Sequence, residues 1–321
     1  MLAAGAGCGG SPPASSRRPP ASPAATASPA ATARANHVRV RTVAHLPAPV
    51  QLPAVTAGPA AVTAAGGLDA ADASARAITR ITVGRHWRAR TAGALPVPFH
   101  DAAAATVRGA GYVLGGGDAG AGRSAILRLL PSGATRPAGR LPAGASDVAA
   151  ATVGDTVYVV GGYTGSSALR SIVAFRPGRP ARVVARLPRP LRYAAAAPAG
   201  GSVLIAGGTS GTAARREVLR FDPAEGTVRR VAVLPVPVTH ASAAALGDRM
   251  YVVGGRGDAL DSARAAILSV DLSGRVARAG RLPVPLSDTG AAALGGRIVV
   301  VGGRDAGGAV HDEVRVLEPR P

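Results

Sequence analysis

Six times along the chain the dipeptide Leu-Pro is followed, 20 residues later, by Gly-Gly. The leucines are Leu46, Leu95, Leu141, Leu187, Leu234 and Leu282, and the glycine pairs begin at Gly66, Gly115, Gly161, Gly207, Gly254 and Gly302. Successive Leu-Pro units lie 49, 46, 46, 47 and 48 residues apart. Self-similarity at a period near 50 marks a propeller, in which each repeat is one four-stranded sheet packed only on its neighbours. With 321 residues and 47% hydrophobic content, one such ring can use nearly the whole chain.

One repeat shows how the strands arise. After Leu187-Pro188 come Tyr193–Ala197, the pair Gly200-Gly201, the run Ser202–Ala206 and the signature Gly207-Gly208. A polar loop leads to Glu217–Pro223, and a turn at Gly226 leads to Val228–Val233 and the next Leu-Pro. Four short apolar runs cut by Gly, Pro and Asp read as four antiparallel strands. The hairpin between the first two is short and Gly-rich in repeats two to six (Arg108-Gly109, Gly154-Asp155, Gly200-Gly201, Gly247-Asp248, Gly295-Gly296), which asks for positive φ. Alanine is a poor strand former, yet Asp101–Thr106, Asp147–Thr152 and His240–Ala245 are alanine-rich. Crowding around a central channel, where only small side chains fit, accounts for that. The second runs, such as Ile298–Val301, are continuously apolar and must be covered on both faces.

The segment apolar-apolar-Gly-Gly, followed about ten residues on by Val218-Leu219-Arg220-Phe221-Asp222-Pro223, resembles the kelch repeat, and the likeness extends over residues 37–321. It implies an all-β, six-bladed kelch-type β-propeller. The aromatic partners of the family pattern are mostly missing: Trp87 is the only tryptophan, and Val, Thr or Ala stands in similar places elsewhere. The last repeat ends one strand short at Pro321, while His37–Val43 alternates like a strand with no blade of its own. Placed as the outer strand of the last blade, it closes the ring; an open array would leave exposed edges.

The single cysteine, Cys8, excludes an internal disulfide. Its context, Leu2–Ser11, resembles the lipobox of bacterial lipoproteins, although Gly5 stands where Leu, Val or Ala is usual and no basic or full apolar segment precedes it. Residues 1–8 are therefore read as a truncated signal segment with Cys8 as the lipidation site, the alternative being a chance Ala/Gly run. Residues 9–36 are read as a disordered Pro/Ala/Ser-rich tether, which extended at about 3.1 Å per residue reaches roughly 90 Å. This places the domain outside the cytoplasm, secreted or anchored, and touching a membrane only through that lipid.

The charge is +19, from 37 basic and 18 acidic residues, with no lysine. A basic excess raises nucleic acid as a partner. Against it stand a composition typical of GC-rich coding, arginines that read as scattered singly over loops and strand edges apart from short pairs such as Arg215-Arg216 and Arg229-Arg230, and 3% aromatics, too few for base-stacking platforms. A protein or carbohydrate partner and a monomeric chain are expected.

Six residues after each repeat leucine stand Leu52, Asp101, Asp147, Tyr193, His240 and Asp288, all expected to ring the channel opening, with His100 and Arg192 beside them. The loops after the glycine pairs add Arg256 and Arg304 on the same face. One reading is a polar pocket for a sugar, a peptide or a cation; the other is a set of side chains that cap strand ends and hold channel waters. No Gly-x-Ser-x-Gly, His-Glu-x-x-His or phosphate loop is present, and Cys8 lies outside the domain where kelch copper oxidases carry a crosslinked cysteine. Neither a cofactor nor a metal is implied. Sialic-acid-isomerising kelch propellers are a six-bladed precedent for an enzyme, but no motif carries their residues over. Two functions follow: a binding or scaffold module using the polar face, or a carbohydrate-active enzyme of epimerase or lyase type using His240, Tyr193 and Asp288.

Overall fold

In the computed structural model, residues 37–118, 121–211 and 213–320 are described. The readings of residues 1–8 and 9–36, Cys8 included, lie outside them. The described residues form six sheets of antiparallel strands arranged as six blades, five of them ordered in space as in sequence and the sixth completed by the N-terminal strand. The innermost strands are Ala54–Ala57, His100–Val107, Ala149–Val153, Ala195–Ala199, Ser242–Leu246 and Gly290–Leu294. The outermost are Arg88–Ala94, Thr135–Arg140, Arg182–Arg186, Thr227–Val238, Val276–Arg281 and, in blade 6, Val38–His45. That last strand pairs antiparallel with Glu313–Pro319, from Val38 opposite Pro319 to His45 opposite Glu313, so the N-terminal strand closes the ring.

The alanine-rich strands surround the channel. In His100–Val107 alternate residues are buried and half-buried, Ala103, Ala105 and Val107 packing inward to the blade. A cavity of about 300 Å³ runs along the axis, walled largely by alanines such as Ala104, Ala150, Ala196, Ala243 and Ala291. The second strands are the most deeply covered: Ile298, Val299, Val300 and Val301 are all fully buried between blades. Two aromatic pairs fill the junctions of blades 2–3 and 3–4, Tyr112 on Phe175 and Tyr158 on Phe221, at centroid distances of 5.4 and 5.2 Å and the same 68° edge-on angle. Elsewhere a single aromatic packs among aliphatic side chains, as where Tyr251 joins Ile298, Val300 and Leu317 in one cluster.

The glycine signature is where one blade grips the next. At the second glycine of each pair the N–H donates to a carbonyl just before the next blade: Gly67 to Phe99, Gly116 to Ala145, Gly162 to Leu191, Gly208 to Val238, Gly255 to Leu286 and Gly303 to Val50, at 2.8–2.9 Å. The first glycine lies under the same oxygen, with φ between 61° and 69° in all six. A Cβ at Gly254 would sit 2.2 Å from the Leu286 oxygen, and one at Gly302 would sit 2.1 Å from the Val50 oxygen. Both conformation and space therefore demand glycine. The repeat leucine packs onto the pair of the preceding blade, Leu95 on Gly66 and Leu282 on Gly254.

One expectation changes. The arginines are not scattered singly: each of the six outermost strands carries two.

Gly254→Ala is expected to destabilise the protein by at least about 2 kcal/mol, because strained backbone and a backbone clash add. Gly247→Ala, at φ 58° but with open space around the added methyl, should cost only about 1 kcal/mol. Urea unfolding of the two variants checks this, and equal losses would refute the clash.

Candidate functional site

Leu52, Asp101, Asp147, Tyr193, His240 and Asp288 share one backbone state, left-handed with φ between 52° and 60°. The ring is tied by main-chain hydrogen bonds from blade to blade. Asp147 N–H donates to Asp101 C=O (2.9 Å), Tyr193 to Asp147 (3.0 Å), His240 to Tyr193 (3.2 Å) and Asp288 to His240 (2.9 Å). Leu52 donates to Asp288 (2.6 Å), across the junction where the ring closes. Asp and His tolerate this conformation better than most residues, which is one cause of their presence.

The six side chains surround a cavity of about 110 Å³ at the channel mouth. Each residue immediately before the ring bridges to the residue that follows a glycine pair by one: Gln51 to Leu68, His100 to Gly117, Ser146 to Tyr163, Arg192 to Thr209, Thr239 to Arg256 and Ser287 to Arg304. This ladder brings the loop arginines to the mouth.

The side chains form a connected network over blades 2 to 5. Arg192 pairs with Asp147. Its guanidinium lies over the rings of Tyr163 (4.1 Å) and Tyr193 (4.7 Å), and it donates to the Tyr193 hydroxyl at 3.3 Å. That hydroxyl donates in turn to Asp101 Oδ2 (3.3 Å), and the Tyr193 ring stacks on His240 at 3.6 Å. Arg256 Nη2 donates to His240 Nε2 (3.1 Å), so the imidazole is neutral and its proton sits on Nδ1, 3.1 Å from Thr239 Oγ1. His100 joins from blade 2, with Nδ1 2.8 Å from Ser74 Oγ and Nε2 3.6 Å from Asp101. Arg304 does not reach this network; it pairs at 3.0 Å with Asp72 of blade 1, which also accepts from Gln51. Tyr163, Thr239, Asp72 and Gln51 were not singled out in the sequence, although counting one residue past each glycine pair finds Tyr163.

Burial dominates the electrostatics. Asp101 is held well above the usual carboxylate range by burial, with Asp147 and Asp288 adding to it. Asp147 is raised by burial against the opposing pull of Arg192. Burial lifts Asp288 to about 6. His240 is pushed down to about 2 by burial and by Arg256 and Arg192. The Tyr193 phenol is raised by burial and by Asp101 and Asp147. The mouth thus combines carboxyls whose ionisation burial opposes, Asp147 among them paired with Arg192, and an uncharged imidazole. Among the described residues no cluster of His, Cys, Asp and Glu has the geometry to hold a metal ion.

Comparisons with known proteins agree with this architecture. The family described as "Kelch motif" matches residues 144–178, the stretch through blade 3. Among curated proteins none matches the chain. A solved structure titled "Structure of YjhT" superposes with a TM-score of 0.72 at 15% identity, covering 84% of this chain and 95% of that one, a likeness of fold alone.

The raised Asp288 gives a pH dependence. An acid whose pKa is higher folded than unfolded keeps its proton longer in the folded state, so its contribution is greatest at low pH and declines as pH rises from about 4 to about 6. The full swing is roughly 3 kcal/mol. Denaturant unfolding at a series of pH values should show that Asp288→Asn removes this part of the decline, leaving the parts due to Asp101 and Asp147; an unchanged slope would contradict the assignment.

Proposed function

We propose that this kelch-repeat propeller is an extracytoplasmic binding module whose ligand, a protein loop or a glycan, seats on the channel mouth. The carrying observation is a set of buried polar atoms left without hydrogen-bond partners there: Asp288 Oδ1, Arg192 Nε and Arg256 Nε. Each such group costs on the order of 1–3 kcal/mol while unpaired, and native interiors rarely tolerate them without a purpose. Asp288 lines the cavity of about 110 Å³, and Arg192 and Arg256 bond its lining residues Tyr193 and His240, so one acceptor and two donors suit a ligand rich in both, as hydroxyls and peptide groups are. Kelch propellers generally bind protein partners, which supports the peptide form of the ligand.

The screen that tests this follows thermal midpoint of the full chain against sugars, cell-wall fragments and short peptides. A binding ligand raises the midpoint by mass action, and an Asp147→Ala/His240→Ala double variant should abolish the rise. A rise retained by that variant would move the site away from the mouth. One observation favours the enzymatic reading: Asp288, at about 6, can take or give a proton near neutrality. NMR of each binding sugar would then reveal epimerised or eliminated product that Asp288→Asn no longer forms. Binding without turnover leaves the module reading alone.

The location rests on Cys8 in its lipobox-like context and on the Pro-rich residues 9–36 after it. Metabolic labelling with a palmitate analogue should mark the protein and fail in Cys8→Ser. A labelled Cys8→Ser, or an unlabelled protein recovered from the cytoplasm, would reject the anchor.

A further inference from the structure

The outer wall of the propeller carries a charge pattern that the mouth does not use. Each of the six outermost strands contributes two arginines: Arg39 and Arg41, Arg88 and Arg90, Arg136 and Arg140, Arg182 and Arg186, Arg229 and Arg230, Arg278 and Arg281. All twelve are exposed. Among the described residues only Arg41 of the twelve is ion-paired, to Glu318. Those same strands contain no Asp or Glu, although the chain has 18 acidic residues, and no Phe, Trp or Tyr.

A protective role at sheet edges explains charge but not its sign. Exposed outer strands need charged residues to prevent edge-to-edge pairing, and Asp or Glu would serve as well. A single-sign belt in which eleven of twelve cations lack a counter-ion among the described residues is instead the footprint of an anionic partner. Arginine rather than lysine adds a planar fork that engages tetrahedral oxyanions through two hydrogen bonds. The belt turns through every blade of a ring, so a flat bilayer or a stiff duplex meets it over one or two blades only. A flexible chain can follow it. The lack of aromatics on these strands removes the platforms that nucleic-acid bases need.

From this we propose that the outer wall binds a flexible, linear, phosphate-bearing polymer without bases, laid along the arginine belt from one blade to the next. The reading is independent of the mouth and of any ligand there.

The test uses the full chain and fluorescently labelled inorganic polyphosphate, with affinity measured by anisotropy across a salt series. Each arginine that neutralises a phosphate on a flexible chain adds about 0.7 to the slope of log affinity against log salt. Engagement of four or more arginines therefore gives a slope of about 3 or steeper. Arg182→Gln, Arg186→Gln, Arg229→Gln and Arg230→Gln together should weaken binding more than tenfold and flatten the slope by about 2 to 3. The same loss of charge away from the belt, at Arg108, Arg123, Arg249 and Arg297, none of which lies on or next to an outermost strand, should cost less than about threefold and leave the slope in place. Equal losses in the two variants would show net charge alone and overturn the proposal. So would a base-bearing single strand of equal charge that binds tenfold tighter. Should the belt variant self-associate, the wild-type chain still decides: affinity must climb with polyphosphate length, and a length-independent affinity defeats the belt.

Discussion

The ring depends on one repeated contact, the main-chain hydrogen bond by which the second glycine of each pair holds the carbonyl ahead of the next blade. In a propeller each sheet is stable only if its neighbours cover both faces, so the geometry between blades matters as much as that within them. Here the carbonyl comes so close to the first glycine that a methyl would lie 2.1–2.5 Å from it in all six blades. The contact sets blade spacing through backbone atoms, which leaves the intervening side chains free to vary. That freedom explains how a chain with 3% aromatics fills its junctions by different means: an edge-on aromatic pair between blades 2 and 3, aliphatic packing between blades 5 and 6. Between blades 5 and 6 that packing includes the lone aromatic Tyr251. The same main-chain contact also explains closure. Gly303 holds Val50 as Gly255 holds Leu286, so the last junction is built like the others and is reinforced by the pairing of Val38–His45 with Glu313–Pro319.

The mouth inherits its order from the same source. Once blades are fixed, the ring residue at the entry to each inner strand takes the left-handed conformation, and five of the six donate their N–H to a neighbour in the ring. Asp and His are common in that conformation for local reasons, so their appearance at four of the six positions Leu52, Asp101, Asp147, Tyr193, His240 and Asp288 has a backbone cause as well as a chemical one. Leu52 and Tyr193 have no such excuse. Tyr193 is the centre of the network instead, stacked on His240, bonded to Asp101 and covered by Arg192. The chemistry on offer is that of groups withdrawn from solvent: a neutral imidazole, carboxyls raised by burial, and one of them, Asp147, paired with Arg192.

Much of this was legible in the residues. Constant spacing between Leu-Pro and Gly-Gly yields blade number and phase, the alanine runs yield the channel, and the unpaired strand at His37–Val43 yields the closure. The ring positions follow from counting six past each leucine, because the connector has the same length in every repeat. What counting misses is anything that depends on side-chain direction across repeats. That Arg256 reaches His240 and fixes its tautomer, whereas Arg304 turns to Asp72, comes from side chains of different blades meeting at the rim. The arginine belt was hidden for a related reason. Residues such as Arg41, Arg90, Arg186 and Arg281 lie dozens of positions apart and look dispersed, until the fold sets all of their strands on one surface.

The left-handed rim has an evolutionary consequence. Its scaffold is made of peptide groups, so it is indifferent to what each blade displays there, provided the residue tolerates that twist. Each repeat therefore offers one rim position open to exchange without renegotiating the backbone of a blade, most freely at Leu52, which stands outside the side-chain network that joins Asp101, Asp147, Tyr193 and His240. A lineage built on this ring can drift from one ligand preference to another in short steps while its architecture stays still, and duplicated copies can diverge at the opening long before their interiors differ.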